Sequence, residues 1–117
     1  MTSDSEVKRI EGSVTAPAGF SAGTAACGIK TESRRDLVMI VSDGPAVCAG
    51  MFTSNRIKGA PVIVSKEHVK NGSARAIVAN SGNANVCNGE DGIDAALAMT
   101  GAAAKLVGCE TSDVLVA

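Results

Sequence analysis

The sequence predicts an α/β domain in which a mostly antiparallel sheet packs on one long helix. Three observations carry that prediction. Short apolar runs punctuated by Gly, Pro and Asn recur between residues 20 and 79. One stretch alone, Asp91–Val107, repeats its apolar positions at helical spacing. The last four residues, Val114-Leu115-Val116-Ala117, read as another strand. With 117 residues, 45% hydrophobic and 20% charged, there is room for one compact domain and not for two of ordinary size.

Residues 1–13 are polar and read as a loose lead-in, so the domain proper is expected over 14–117. Val14–Phe20 is an extended segment turning at Pro17 and Gly19. Phe20–Ile29 is rich in small residues and reads as a strand whose glycines admit a neighbouring backbone. Lys30–Asp36 is a charged loop. Leu37–Val41 is a continuous apolar run of the kind buried on both faces, and Ser42-Asp43-Gly44-Pro45 closes it. Ala46–Thr53 is expected to return as the second arm of a hairpin. Val62-Ile63-Val64 reads as a short strand, and Lys66–Lys70 as a single helical turn ended by Asn71-Gly72. Ala74–Ala79 is a strand running straight into Asn80-Ser81-Gly82-Asn83-Ala84-Asn85, where three Asn and a Gly favour turn geometry. Asn88 is placed to cap the long helix, Glu90 and Asp91 to face its dipole, and Gly108 to end it. Its buried face is expected to carry Ile93, Ala96, Leu97, Thr100, Gly101, Ala104 and Val107. A strand with nothing after it implies either a fragment or a cleavage product whose sheet another polypeptide completes.

Charge and composition narrow the function. Eleven Lys+Arg against twelve Asp+Glu give a net charge of −1, with no Trp, no Tyr and two Phe, so neither a phosphate-binding stripe nor a base-stacking platform is available to nucleic acid. No run approaches the ~20 apolar residues of a membrane helix, and the acidic start lacks a secretory apolar core. Cys27, Cys48, Cys87 and Cys109 are widely spaced without a CxxC pair, which disfavours zinc and a disulfide framework. They read as reduced, mostly buried thiols of a cytoplasmic protein, with no metal or cofactor.

Chemistry has few places to sit. Lys66-Glu67-His68-Val69-Lys70 looks like a solvated turn, so His68 is a poor catalytic base. Cys27 and Cys48 lie in apolar runs and read as core, and Arg34-Arg35 as exposed loop charge. Cys87 is the better-placed thiol, beside the Asn-rich loop. Asn80, Gly82, Asn83 and Asn85 form the one site-adjacent candidate, lying between a strand end and a helix start. Their amides either orient a substrate or oxyanion without charge, or satisfy one another in a compact turn. The loop has neither the GxGxxG spacing nor the Lys-Ser/Thr ending of phosphate loops. No self-contained catalytic set is present, and no catalytic residue is assigned within the chain.

Four blocks in order carry a resemblance. Val14-Thr15-Ala16-Pro17-Ala18-Gly19-Phe20 leads to Ala26-Cys27-Gly28-Ile29-Lys30 and Asp36-Leu37. Phe52-Thr53-Ser54-Asn55 follows with Ala60-Pro61-Val62, then Asn80–Asn85 continuing through Cys87 to Gly89. Together they resemble the start of the ornithine acetyltransferase family, the bifunctional glutamate N-acetyltransferases of arginine biosynthesis. That resemblance implies a layered αββα domain in the style of N-terminal-nucleophile hydrolases, of which these residues supply one part. It implies a precursor that cuts itself at an Ala-Thr bond, releasing a β chain led by a nucleophilic Thr. That hydroxyl takes acetyl from N-acetylornithine and passes it to glutamate, with acetyl-CoA a further donor in bifunctional members. The threonine's own α-amino group serves as base, so scarcity of histidine is no objection.

The family's Thr-Gly oxyanion element and its scissile segment are not within these residues. The chain is therefore expected to be the N-terminal portion of an α chain in an αβ hetero-oligomer, and inactive alone. The alternatives from the same residues are another N-terminal-nucleophile aminopeptidase or amidase, or a non-catalytic binding fragment.

Overall fold

A computed structural model of the chain describes residues 7–31 and 33–117; the first six residues of the expected lead-in lie outside them. Four strands form one sheet in the order β1-β2-β3-β4: β1 Phe20–Ala25, β2 Leu37–Val47, β3 Ser73–Asn80 and β4 Val114–Val116. Two helices, α1 (Ala60–His68) and α2 (Gly89–Val107), lie on one face. The pairs β1–β2 and β2–β3 are antiparallel, while β3 and β4 run parallel through the α2 crossover. The expected α/β class with a mostly antiparallel sheet is what forms.

Alternation sorts the sheet into two unlike faces. Leu37, Met39, Val41, Ala76, Val78, Val114 and Val116 point toward the helices. The core they build with Ala60, Val64, Ala96, Ala103 and Ala104 contains no residue larger than valine among its fully buried members. Small side chains from α2 and the sheet thus fill the space between the two layers. The opposite face carries Phe20, Ala22, Ile40, Ile77 and Leu115 and has no layer over it among the described residues, leaving Phe20 and Ile77 38% and 40% exposed. Leu37–Val41 is thus covered on one face, not two. Gly23 in β1 has nothing near it, so the close neighbour expected there is absent among the described residues.

Several elements depart from the sequence reading. Phe20–Ile29 is a strand only to Ala25. The expected hairpin at Asp43-Gly44-Pro45 is instead a bulge inside one long strand. Val41 pairs with Ala76 and Ala46 with Ala74, so five steps along β2 match two along β3. Pro45 fits because bulged residues leave the ladder and need no donor, and Asp43 N–H still reaches Gly19 O, just before β1 (2.9 Å). Ala46–Thr53 is strand only to Val47; residues 48–58 are irregular.

Val62-Ile63-Val64 is not a strand but the middle of α1. Pro61 sits in its first turn, where a missing N–H costs nothing. Ala60, Val64, Ser65 and His68 are buried at helical spacing, and that packing overrides the β-branched run. His68 is therefore not in a solvated turn. Its side chain is buried, with Nδ1 donating to Val114 O at 2.7 Å. Ser65 Oγ donates to Val116 O (2.7 Å) and accepts from Val116 N–H (2.9 Å). α1 thereby occupies the outer edge of β4.

α2 begins at Gly89 with Asn88 at the N-cap position, but the Asn88 side chain makes no cap bond. Gly108 ends it in the left-handed region, as expected. The buried face is Gly92, Ala96, Thr100, Ala103 and Ala104, with Leu97 38% exposed. The four cysteines are free thiols; Cys27 and Cys87 are exposed and Cys48 and Cys109 half-buried, so Cys27 is not a core residue and the thiols are not mostly buried. Burial, followed by the nearby Asp113 carboxylate, pushes the Cys109 thiol pKa up.

Candidate functional site

One end of the sheet gathers the candidate residues. β1 and β3 finish there and β2 starts there, so the 26–36 connection and the Asn80–Asn85 loop leave the sheet side by side. Asn80 N–H donates to Ala117 O (3.0 Å), and Ser81 N–H to Asp36 O (2.8 Å).

Within the loop the asparagines divide by role. Asn85 is structural. It adopts φ 46, donates from Nδ2 to Gly92 O (2.8 Å) and accepts at Oδ1 from Asn88 Nδ2 (3.0 Å). Its carbonyl accepts the first α1 amide, Ala60 N–H, at 2.9 Å. This explains the unused cap: Asn88 turns its amide back onto Asn85. Gly92 permits the arrangement, since a Cβ there would lie 2.7 Å from Asn85 Oδ1 and 2.9 Å from Asn88 Cβ. Asn80 Nδ2 reaches Asn83 O at 3.3 Å.

Asn83 is different. Its Oδ1 accepts Asn85 N–H (3.2 Å), while its amide NH2 enters no hydrogen bond among the described residues. Asn80, Asn83, Asn85, Asn88 and Asp91 border a cavity of about 350 Å³ open to solvent, closed below by Gly92, Ala95 and Met99. Such a wall offers the Asn83 amide beside the Asp91 carboxylate over an apolar floor, suited to a small polar molecule. The two readings of the loop each hold for different residues: mutual satisfaction for Asn85 and Asn88, a free donor for Asn83.

Asp36 was missed as a site-adjacent residue. The sequence places it at the end of a charged loop, yet it is 4% exposed and its carboxylate is spent on backbone amides. The Cys27 N–H bond, opposed by burial and reinforced by the Ile29 and Lys30 amides, holds its pKa below the ordinary 3.8. A lone acid just before an apolar run was the available signal. Arg34 and Arg35 are exposed as expected, and Arg35 donates to Thr24 Oγ1. His68 lies away from this end, within the α1–β4 contact, and Cys87 is exposed at φ 60 beside the α2 start. Among the described residues, no group of three or more His, Cys, Asp or Glu could hold a metal ion. Among the described residues, no helix is long and apolar enough to cross a membrane.

This fold and loop define a mixed α/β domain whose polar site sits where β3 hands over to α2. The sequence profile of the ArgJ family matches residues 21–117, and the chain belongs to that family. It is 46% identical over 107 residues to the arginine biosynthesis bifunctional protein ArgJ of Caldanaerobacter subterraneus subsp. tengcongensis, an alignment covering 92% of this chain and 26% of that protein. The ArgJ of Mycolicibacterium paratuberculosis is 43% identical over 111 residues, covering 92% and 28%. Among solved structures, ArgJ from Bacillus halodurans superposes with a TM-score of 0.86 at 38% identity, over 90% of this chain and 55% of that one. An ornithine acetyltransferase from Mycobacterium tuberculosis, crystallised with ornithine, gives 0.84 at 38% identity, over 88% and 56%. The chain thus spans about a quarter of the length of the curated relatives it matches.

Proposed function

We propose that this chain is the N-terminal portion of the α chain of a cytoplasmic glutamate N-acetyltransferase of arginine biosynthesis, and that Asn80–Asn85 forms one wall of its active site. Residues 14–117 then act as one structural unit, with 1–13 a lead-in. The observation that carries the reading is the free Asn83 amide on a polar cavity, within a chain that matches ArgJ proteins almost throughout. The attacking group belongs to a β chain released by self-cleavage at an Ala-Thr bond. Its threonine Oγ bonds to the acetyl carbon of N-acetylornithine, the C–N bond breaks, and the Thr α-amino group carries the hydroxyl proton to the departing amine. The amino group of glutamate then attacks the acetyl ester, the C–O bond breaks, and Oγ regains its proton. Acetyl-CoA serves as a second donor in a bifunctional enzyme, its thioester C–S bond breaking in place of the C–N bond. In this scheme Asn83 contributes an uncharged donor to substrate or to the developing oxyanion. The apolar open face of the sheet supports an αβ assembly, because a partner layer removes Phe20, Ile40 and Ile77 from water.

Co-purification with mass spectrometry tests this. The expected result is a partner polypeptide that begins with Thr and gains one acetyl group on incubation with N-acetylornithine, losing it to glutamate. A Thr-led partner that hydrolyses peptides and never becomes acetylated would overturn the proposal.

A further inference from the structure

We infer that Asp36 is a positioning residue for this site, clamping the 26–31 loop and the Asn80–Asn85 loop to each other at the end of the sheet. The inference rests on the reading of Asn80–Asn85 as a site wall. Asp36 reaches both loops through different atoms. Its Oδ1 accepts Cys27 N–H (2.7 Å), and its Oδ2 accepts Ile29 N–H (2.6 Å) and Lys30 N–H (3.4 Å). Its own N–H donates to Ala25 O (3.0 Å), fixing it to the end of β1, and its carbonyl accepts Ser81 N–H (2.8 Å).

A second observation links the loops independently. Gly82 has φ +109, and a Cβ on it would stand 2.6 Å from Lys30 Cγ and 3.1 Å from Ile29 Cγ2. Two of the three amides that the Asp36 carboxylate holds, those of Ile29 and Lys30, thus belong to the residues whose side chains press on Gly82. Asn83 follows directly in sequence. A shift of the 26–31 loop is transmitted through Gly82 to the Asn83 amide. A carboxylate that served only to cap a turn would not need to be buried against three amides of a loop touching the site.

The test uses the assembled enzyme with Asp36→Asn and, separately, Gly82→Ala. The Asn side chain turns an NH2 toward at least one of the three backbone donors, so a bond is lost and two donors face each other. In Asp36→Asn, amide exchange at Cys27 and Ile29, and also at Ser81 and Asn85, is expected to quicken about tenfold while α2 amides stay protected. The KM for N-acetylornithine should rise about tenfold with kcat per active site nearly unchanged, as when a contact to bound substrate is weakened equally in the ground and transition states. Gly82→Ala should give the same KM shift, and the double variant less than the summed effects. Faster exchange at Cys27 and Ile29 with Ser81 and Asn85 unaffected would overturn the clamp while leaving the site reading intact. A fall in active fraction at constant KM would make Asp36 merely structural. Freed loops with kinetics untouched would overturn the site reading itself, and this inference with it.

Discussion

Asn83 and Asp36 show how differently polar side chains of one site are employed. Asn83 keeps a free amide NH2 at the cavity, while its Oδ1 is committed to the loop. Asn83→Asp preserves that acceptor, removes the donor and adds negative charge. We expect kcat/KM for acetyl transfer in the assembled enzyme to fall about a hundredfold, with the thermal midpoint nearly unmoved. Unchanged kinetics with a lowered midpoint would assign the residue to folding. Asp36 is committed wholly to the backbone, and its lowered pKa makes that a pH-dependent bond. Because the folded value lies below the ordinary 3.8, the stabilisation is fully present above 3.8 and is lost as pH falls through the lowered value. The difference in thermal midpoint between wild type and Asp36→Asn should therefore persist at neutral pH and close on acidification below 3.8. A gap that stays constant into acid would mean the ionised form is not what holds the loop.

Among the elements, α1 teaches the most. Three β-branched residues in a row, Val62-Ile63-Val64, favour a strand locally, and a short window cannot see the β4 backbone that Ser65 and His68 satisfy from 51 and 46 positions away. The spacing of Ala60, Val64, Ser65 and His68 behind Pro61 was legible but outweighed. α2 was legible because nineteen residues give the helical period time to show. Its cap was not, since Asn88 satisfies a side chain rather than the helix. The β2 bulge was hidden by Asp43-Gly44-Pro45, which reads as a turn in any sequence and here lies between paired residues, Val41 with Ala76 before it and Ala46 with Ala74 after it. Two substitutions test the helices. Ser65→Ala strands the buried N–H and carbonyl of Val116 and should cost about 2 kcal/mol in unfolding of the assembled protein. Gly92→Ala drives a methyl against Asn85 and Asn88 and should cost about 1–3 kcal/mol while displacing the loop. Wild-type stability for Ser65→Ala would show that water replaces the hydroxyl at β4.

At the scale of the whole molecule, the covered and open faces of the sheet are chemically alike but differently treated. The radius of gyration, 15.8 Å, exceeds the roughly 13 Å of a compact domain of this length, and one sheet with one helical layer is half of the layered arrangement the sequence suggested. Composition and alternation located strands at Phe20, Leu37, Ala74 and Val114, but misread Val62–Val64 and the far arm of β2. They could not say that both faces of β2 are apolar for different reasons, one serving α2 and the other serving no element of the described chain. Produced without the remainder of the enzyme, the chain is expected to bind an apolar dye and to self-associate, and Ile77→Lys should reduce both. A dye-silent wild-type monomer would show that the open face is tolerated in water. The candidate loop was identified from its composition, whereas the division of labour within it required distances.

The edge of β4 carries one more implication. Val114 N–H is taken by Thr111 O and Val114 O by His68, and both polar groups of Val116 are taken by Ser65. No outward valence is left on that side for another backbone to bridge. Among the described strands, the ladder edge left open to a further backbone is therefore that of Phe20–Ala25.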